Sequence, residues 1–147
     1  MSASAKPSAN VKQVVPFFRV ADMGRSVRFY MEGLGFSMKH KWVVDEKLRW
    51  CWLELGGAAL MLQEYLKDSP LASAAPGTLG AGVSLAFQCE DAVALYHEFI
   101  SRSMDASEPQ VGNSMWVTCL SDPDGYRLEF ASLTDTPEET KLSELQK

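Results

Sequence analysis

The sequence predicts an α+β fold in which a βαβββ module occurs twice in tandem, and two observations carry this prediction. The order of one strand, one helix and three further strands is found in the first half of the chain and returns in the second. The length of 147 residues, with 46% hydrophobic and 22% charged residues, suits one globular domain. We therefore expect a single domain over residues 11–133, with modules at about 11–65 and 82–133, a flexible segment at 1–10 and a polar tail at 134–147.

The first module starts with a strand at residues 11–20, where β-branched and aromatic residues dominate. Asp22 then predicts the N-cap of a helix that continues to about Leu34, because apolar residues recur there at spacings of three and four. Two turn signals, Asp45-Glu46 and Gly56-Gly57, separate the strands that follow. These strands are predicted at residues 36–44, 47–55 and 58–65, and they should form an antiparallel meander.

The second module repeats this order after a linker at residues 66–81 that is rich in Ser, Pro, Ala and Gly. Aligning Asp22 with Asp91 matches the first strand and helix of the two halves, and aligning Gly57 with Gly125 matches their last hairpins. The predicted elements are a strand at 83–89, a helix from 91 to about 104, and strands around Glu108, at 115–120 and at 126–133. In the tail, the segment that starts with Thr136-Pro137 predicts a short helix.

Charge and cysteine usage narrow the classes of partner. The net charge of -5 and the lack of a Lys/Arg run argue against nucleic acid or an anionic membrane surface, since both attract clustered cations. Cys51, Cys89 and Cys119 are odd in number and show no metal-ligand spacing, which indicates reduced thiols. The first dozen residues lack the apolar core of a signal peptide, and nowhere do about 18 apolar residues run together. We expect a cytoplasmic protein whose partner is a small molecule.

Two segments, at the start of the first module and at the end of the second, carry a family resemblance. They are residues 15–22, followed by Arg25-Ser26, Phe29-Tyr30 and Leu34-Gly35-Phe36, and residues 122–130. These segments resemble the opening and the final hairpin of the superfamily of glyoxalases, bleomycin resistance proteins and extradiol dioxygenases, which share the vicinal-oxygen-chelate fold. The resemblance covers roughly residues 14–132 and implies an open U-shaped sheet around a cavity, with the helices outside. It does not fix the activity, because this fold hosts several unrelated chemistries.

The resemblance also implies where a metal would be held, because metal-dependent members place one His or Glu ligand on the first and last strands of each module. Carried over, those positions fall on Val15, Met61, Ser84 and Glu129. Only Glu129 is an ordinary ligand for a divalent ion, whereas a catalytic metal usually has about three protein ligands. The two histidines, His40 and His97, match none of these positions and are interpreted as surface or packing residues. We therefore expect no metal and no other cofactor.

Tryptophans point to a different kind of site. If Gly56-Gly57 forms a two-residue turn, Trp52 pairs with Met61 and Trp50 with Gln63, and paired residues share one face of a sheet. Met61 faces the cavity by the resemblance, so both tryptophans should face it as well. The alternate residues of these strands should turn toward the helices, namely Cys51, Leu53, Leu60 and Leu62.

The repeat extends this site to the second module, where it places Trp116 on the equivalent face, near Glu129. The predicted ligand-binding residues are Trp50, Trp52, Trp116, Met61, Gln63, Glu129, Ser84 and Arg19, with Glu54 as a further polar candidate. One alternative stays open, since tryptophans in strands are more often core residues than ligand platforms.

These residues favour metal-independent binding of a small aromatic or cationic organic ligand, because indole rings stack on flat rings and attract cations. The resemblance to the bleomycin-resistance branch implies the same function, namely sequestration of a bulky cationic drug without altering it, and hence antibiotic resistance. The rival hypothesis is a metal-dependent glyoxalase-like lyase or isomerase, or an extradiol dioxygenase, with a degenerate site that retains Glu129. No catalytic residue is assigned, because no Ser or Cys lies in a recognisable nucleophile motif.

Uncovered sheet edges invite pairing, which predicts a homodimer. The resemblance to bleomycin resistance proteins implies how the dimer forms. The segment before Pro16, residues 11–16, should cross to the partner subunit, so that each cavity draws on both chains.

Overall fold

A computed structural model describes residues 10–75 and 77–145 of the protein. The predicted flexible segment at residues 1–10 lies outside the described residues, apart from Asn10. Among the described elements, no helix has the length and apolar character needed to cross a membrane. The elements follow one another as β1 (Phe17–Val20), α1 (Met23–Arg28), β2 (Ser37–Val44), β3 (Lys47–Leu55), β4 (Ala58–Glu64), β5 (Ser84–Gln88), α2 (Ala92–Ser101), β6 (Gln110–Gly112), β7 (Met115–Ser121), β8 (Arg127–Leu133) and α3 (Leu142–Leu145).

Each module forms its own four-stranded sheet. Sheet 1 has the strand order β1-β4-β3-β2, and sheet 2 has the order β5-β8-β7-β6. In both sheets the first strand of the module runs parallel to the last, and the other neighbours are antiparallel. The α+β class and the tandem βαβββ modules predicted from the sequence are confirmed, and neither sheet closes into a barrel over the described residues.

Both long helices begin where the sequence places an aspartate cap. Asp22 accepts a hydrogen bond from the Arg25 amide at 3.0 Å, and Asp91 accepts one from the Ala94 amide at 2.9 Å. Such caps satisfy amides that have no partner inside the helix. After α1 the chain continues as a wider π-helical turn over Phe29–Gly33, so the first helical segment ends close to its predicted boundary but changes its pitch.

The helix-facing sides of the two sheets pack into a shared hydrophobic core. The alternate residues of β3 and β4 are fully buried there, as predicted: Cys51, Leu53, Leu60 and Leu62. Aromatic pairs continue the core from one module to the other. Phe18 stacks on Tyr126 with 4.0 Å between ring centroids, and Phe36 stands edge-on to Phe87 at 6.2 Å. Each module therefore buries part of its apolar surface against the other.

The turn between β7 and β8 joins the modules through a buried carboxylate. Asp122 accepts hydrogen bonds from the Tyr30 hydroxyl at 2.7 Å and from the amides of Asp124 and Tyr126 at 2.9 Å each. Asp124 in turn accepts one from the Ala21 amide at 3.1 Å. Burial raises the pKa of Asp122, although these hydrogen bonds act in the opposite direction. Burial and the neighbouring Asp122 charge raise the pKa of Tyr30 well above its usual value, so this contact depends on a phenol that keeps its proton.

Two predicted boundaries are wrong. β1 begins at Phe17 rather than at residue 11. The Pro16 carbonyl still accepts a hydrogen bond from the Met61 amide at 2.9 Å, but its nitrogen has no hydrogen to donate, so the ladder stops there. In the tail, the short helix is α3 and does not start at Thr136. Glu139 lies at a φ of 67°, which a right-handed helix does not allow.

Candidate ligand-binding face

The open side of sheet 1, opposite the buried core, carries two rows of side chains. The predicted pairs, Trp50 with Gln63 and Trp52 with Met61, are confirmed. Following the register across all four strands, the first row is Arg19, Gln63, Trp50 and Trp42, and the second row is Phe17, Met61, Trp52 and His40. We call these residues the aromatic face.

The dimensions of the aromatic face follow from strand geometry. Neighbouring strands lie about 4.8 Å apart, so a row that crosses four strands spans about 14 Å, and the two rows are about 7 Å apart along the strands. A flat molecule of two to four fused rings has these dimensions. The aromatic face thus offers a platform of the right size for such a ring system.

Several of its side chains are held in place by their neighbours. Trp52 Nε1 donates a hydrogen bond to Glu54 Oε2 at 2.8 Å, and the His40 ring stands edge-on to the Trp52 ring at 6.2 Å. The Arg19 guanidinium lies 3.9 Å from the centroid of the Phe17 ring, which is a cation–π contact. Side chains that are already ordered lose less conformational entropy when a ligand binds.

The aromatic rings of this face remain accessible. Trp42 is 55% exposed and Phe17 is 40% exposed, while Trp50 and Trp52 are half-buried. Contiguous exposed apolar side chains on a folded protein usually mark an interaction site. The core alternative for Trp50 and Trp52 does not fit this arrangement, because their rings lie on the side of sheet 1 that the core does not cover.

Sequence reasoning missed Trp42, His40 and Phe17. An unbroken two-residue hairpin at Asp45-Glu46 pairs Trp42 with Arg49. The structure instead has a register irregularity between Trp42 and Val43, which shifts Trp42 opposite Trp50. The extra residue is Arg49 of β3, and no residue pattern in this strand indicates it. For Phe17 a signal existed, since it lies two residues from Arg19 and therefore on the same face of β1.

The open side of sheet 2 has a different character. Glu129 and Ser84 lie there, but Glu129 Oε1 accepts from Arg127 Nε at 3.3 Å, and the pair forms a salt bridge. Arg127 also donates to the Cys119 sulfur at 3.4 Å, and burial raises the pKa of that thiol. Ala86 lies opposite Glu129 on β5. This surface offers an ion pair among small side chains rather than a row of rings.

The prediction for Trp116 is wrong. Trp116 is only 9% exposed and packs against Ala92, Val111 and Leu142 on the side of sheet 2 opposite Glu129. Five residues separate the paired Ser121 and Arg127, whereas four separate the equivalent pair of the first module, Glu54 and Ala59. This one extra residue shifts the register of β7 by one relative to the repeat, and a shift of one residue moves every side chain to the other face.

The carried-over metal positions do not fit a divalent cation. Val15 has no donor atom, Met61 offers only a soft thioether, and the Ser84 hydroxyl is a weak ligand. Glu129 is already paired with Arg127. Within residues 10–75 and 77–145, no group of three or more His, Cys, Asp or Glu side chains is placed to hold a metal ion. His97 is exposed on α2 beside Tyr96.

A cleft of about 940 Å³ separates the modules on the side of the Gly56-Gly57 turn. It runs along β5, and its walls include the apolar side chains of Leu55, Leu85, Phe87 and Leu95. Of the predicted site residues, only Ser84 lines it. The cleft is therefore a feature separate from the tryptophan rows.

Comparison with known proteins agrees with this fold. The sequence profile of the Glyoxalase/Bleomycin resistance protein/Dioxygenase superfamily matches residues 11–130. The chain belongs to this superfamily. No curated protein matches the sequence.

Several solved structures are similar to this chain in fold although their sequences have diverged. TnmS3, an antibiotic binding protein from Streptomyces sp. CB03234, is 21% identical with a TM-score of 0.65, over 86% of this chain and 99% of that one. A bleomycin-binding protein complexed with bleomycin is 21% identical with a TM-score of 0.61, over 83% and 98%. TioX from Micromonospora sp. ML1 is 15% identical with a TM-score of 0.62, over 86% and 99%. At these identities the likeness shows the shared fold.

Proposed function

We propose that the protein binds and sequesters a flat aromatic organic molecule on the aromatic face, without a metal ion and without altering the ligand. The observation that carries this proposal is the exposed pair of rows on sheet 1, with Trp42, Trp50, Trp52 and Phe17 around Met61. A protein that needed these rings only for stability would bury them, as it does Trp116.

The expected affinity follows from area and stacking. Covering about 200 Å² of apolar surface contributes about 5 kcal/mol, and two or three aromatic contacts add about 2 kcal/mol. Because association also costs translational and rotational freedom, these gains set an upper limit on the affinity, at a Kd on the order of 10 μM. Such an affinity suits reversible sequestration.

The likeness to solved proteins supports this type of function. One similar structure is an antibiotic binding protein, and another is a bleomycin-binding protein complexed with bleomycin. The donor chemistry of Val15, Met61 and Ser84 favours binding over the metal-dependent lyase or dioxygenase hypothesis. We therefore extend the proposal to a role in resistance to an aromatic antibiotic.

The test is equilibrium dialysis of the full chain against bleomycin and a panel of neutral, cationic and anionic fused-ring compounds. At least one compound should bind with a Kd near 10 μM, and Trp50→Ala should weaken its binding about tenfold. Trp116→Phe is the matched control, because it changes a buried tryptophan outside the face, and it should leave binding unchanged. If no compound binds, or if Trp50→Ala has no effect, the proposal is wrong.

We also propose a homodimer in which residues 11–16 cross to the partner subunit. The support is that Val11 and Val14 are 79% and 90% exposed and that this segment lies outside β1. Large exposed apolar side chains next to a strand edge favour pairing with a second copy. Sedimentation velocity should give about twice the chain mass of 16.3 kDa, and Val14→Ser should raise the dissociation constant. A monomer at all concentrations contradicts the proposal.

A cytoplasmic location completes the proposal. Its support is that Cys51, Cys89 and Cys119 are free thiols in the structure, as expected in a reducing compartment. Thiol titration of the protein after unfolding, without a reductant, should find three reactive groups per chain. A disulfide between chains argues for an oxidising compartment.

A further inference from the structure

We infer that the flat molecule bound on the aromatic face is an anion, such as an arene carboxylate. This inference rests on the proposed function and narrows its ligand class. It departs from the cationic ligand that the sequence and its resemblance to bleomycin resistance proteins favour. The reason is the distribution of charged groups around the tryptophans.

The cation presented on this face is Arg19, at the β1 end of the first row. The salt bridges among the described residues join Arg25 to Asp124, Arg102 to Glu98 and Arg127 to Glu129, and none involves Arg19. Its guanidinium is held 3.9 Å from the Phe17 centroid, and its backbone carbonyl accepts from the Tyr126 hydroxyl at 2.9 Å. The first contact holds the side chain and the second holds the backbone. No acidic side chain among the described residues pairs with the guanidinium, which can therefore donate two parallel hydrogen bonds to a carboxylate.

The carboxylates of the two open sheet sides are either distant from Arg19 or paired. Glu54 accepts the indole hydrogen of Trp52 at 2.8 Å and keeps its negative charge, but it lies four residues along β3 from Trp50, about 14 Å from the first row. Glu129, on sheet 2, is paired with Arg127 at 3.3 Å. A charged group at the β1 end of the first row therefore lies farther from Glu54 than the Debye length of about 8 Å and meets the Arg19 guanidinium directly, which favours an anion.

The net charge of -5 does not reverse this preference. Charges farther away than the Debye length of about 8 Å are largely screened at physiological ionic strength. The groups next to the bound ring system therefore decide the sign of its charge. Next to the first row the charged group is Arg19, with Gln63 between Arg19 and Trp50.

The spacing of the first row defines the shape of the ligand. Arg19 lies on β1 and Trp50 on β3, with one strand between them, so their backbones are about 10 Å apart. A linear three-ring system with its anionic group at one end covers this distance. Anthracene-2-carboxylate has this shape. Two analogues have the same rings but differ in charge, since the 2-aminomethyl compound is a cation and the 2-hydroxymethyl compound is uncharged.

The experiment measures the Kd of these three probes for the full chain by fluorescence anisotropy. The carboxylate should bind at least tenfold more tightly than the aminomethyl analogue. Arg19→Gln should remove this preference, so that the ratio of the Kd values of the carboxylate and the aminomethyl analogue falls to about one. Arg49→Gln is the matched control and should keep the preference, because Arg49 is an arginine of β3 that lines a small pocket with Met23 and Val27 of α1, on the helix side of sheet 1.

The probe series on the unaltered protein tests the inference even if a variant fails to fold. Tighter or equal binding of the aminomethyl analogue overturns the anionic ligand and leaves the proposed aromatic site intact. Absence of binding by all three probes overturns the proposed site itself. A preference that survives Arg19→Gln overturns the assignment of Arg19.

Discussion

The turns that close the last hairpin of each module differ in length, and this difference separates the roles of the two modules. The turn between β3 and β4 is Gly56-Gly57, whereas that between β7 and β8 runs from Asp122 to Tyr126. The longer turn fills its side of the module interface with Asp122, Asp124 and the stacked Tyr126. The shorter turn has no side chains beyond hydrogen, and a cleft of about 940 Å³ lies beside it. The longer turn therefore stabilises the contact between the modules, whereas the shorter turn leaves a cleft open beside it.

The same difference decides which sheet exposes its aromatic residues. The two-residue turn keeps Trp50 and Trp52 on the open side of sheet 1. The longer turn comes with the register shift that places Trp116 in the core. The two sheets are similar in topology, but sheet 1 exposes its tryptophans whereas sheet 2 buries Trp116. Substitutions in only one of the two turns, or of only an exposed or only the buried tryptophan, test this comparison.

The largest effect is expected from Gly125→Ala. Gly125 has a φ of 96°, and an added Cβ would overlap the backbone carbonyl of Gly77. Backbone strain and this clash together should lower the free energy of unfolding by about 4 kcal/mol, as measured by urea denaturation. Gly56→Ala is the matched control. Gly56 also has a positive φ, of 56°, but a Cβ there meets no atom within 4 Å, so the cost should be about 1 kcal/mol.

An equal cost for both glycine variants would contradict the structural role assigned to the longer turn. A Gly56 variant that loses more stability than the Gly125 variant would reverse the comparison altogether.

A smaller effect is expected from Trp116→Ala, at about 3 kcal/mol of unfolding free energy, because it leaves a cavity beside Ala92, Val111 and Leu142. Trp50→Ala should cost about 1 kcal/mol, because its ring is only half-buried, yet it should weaken ligand binding. Thermal unfolding and dialysis on the same two variants check both statements. Similar losses of stability would mean that Trp50 is a core residue.

The smallest effect is expected from Tyr30→Phe, at about 1 kcal/mol near neutral pH, because Asp122 loses a hydrogen-bond donor. This contribution depends on pH in a defined direction. The pKa of Tyr30 is raised above 10.0 in the folded chain, so its contribution is complete below pH 10 and is lost as the pH rises further. The stability gap between the protein and the variant should therefore shrink above pH 10 in urea titrations.

Burial raises the pKa of Cys51 to about 11, so ionisation of this thiol destabilises the protein and the Tyr30→Phe variant equally in the same alkaline range. Its effect therefore cancels from the difference in stability between the two. A gap that stays constant from pH 7 to 11 would show that Tyr30 ionises as easily in the folded chain as in the unfolded one.

The sequence predicted most of the fold because its local signals agree with one another. Asp22 and Asp91 cap the helices, and Gly56-Gly57 sets the register of β3 and β4, so Trp50, Trp52, Met61 and Gln63 were placed correctly on one face. Each of these predictions depends on residues close together in the chain. Short-range chemistry of caps and turns was sufficient for them.

The errors arose where a single residue of register decides the outcome. The position of Trp116 depends on the number of residues in the turn after β7, and that of Trp42 depends on one extra residue, Arg49, in β3. Neither is visible in the alternation of polar and apolar residues. The inferred anionic ligand differs from the cationic one that the sequence favours, because sequence does not show which charges are already paired, as Glu129 is with Arg127.

The four tryptophans form two groups with different surroundings, so the protein carries its own optical reporters. Trp116 lies in the core beside Leu142 of α3, and its emission should follow detachment of the C-terminal segment. Trp42, Trp50 and Trp52 share the open side of sheet 1 and should respond to an occupant. Replacing Trp116 by Phe leaves a chain whose remaining indole signal reports occupancy, without any added dye.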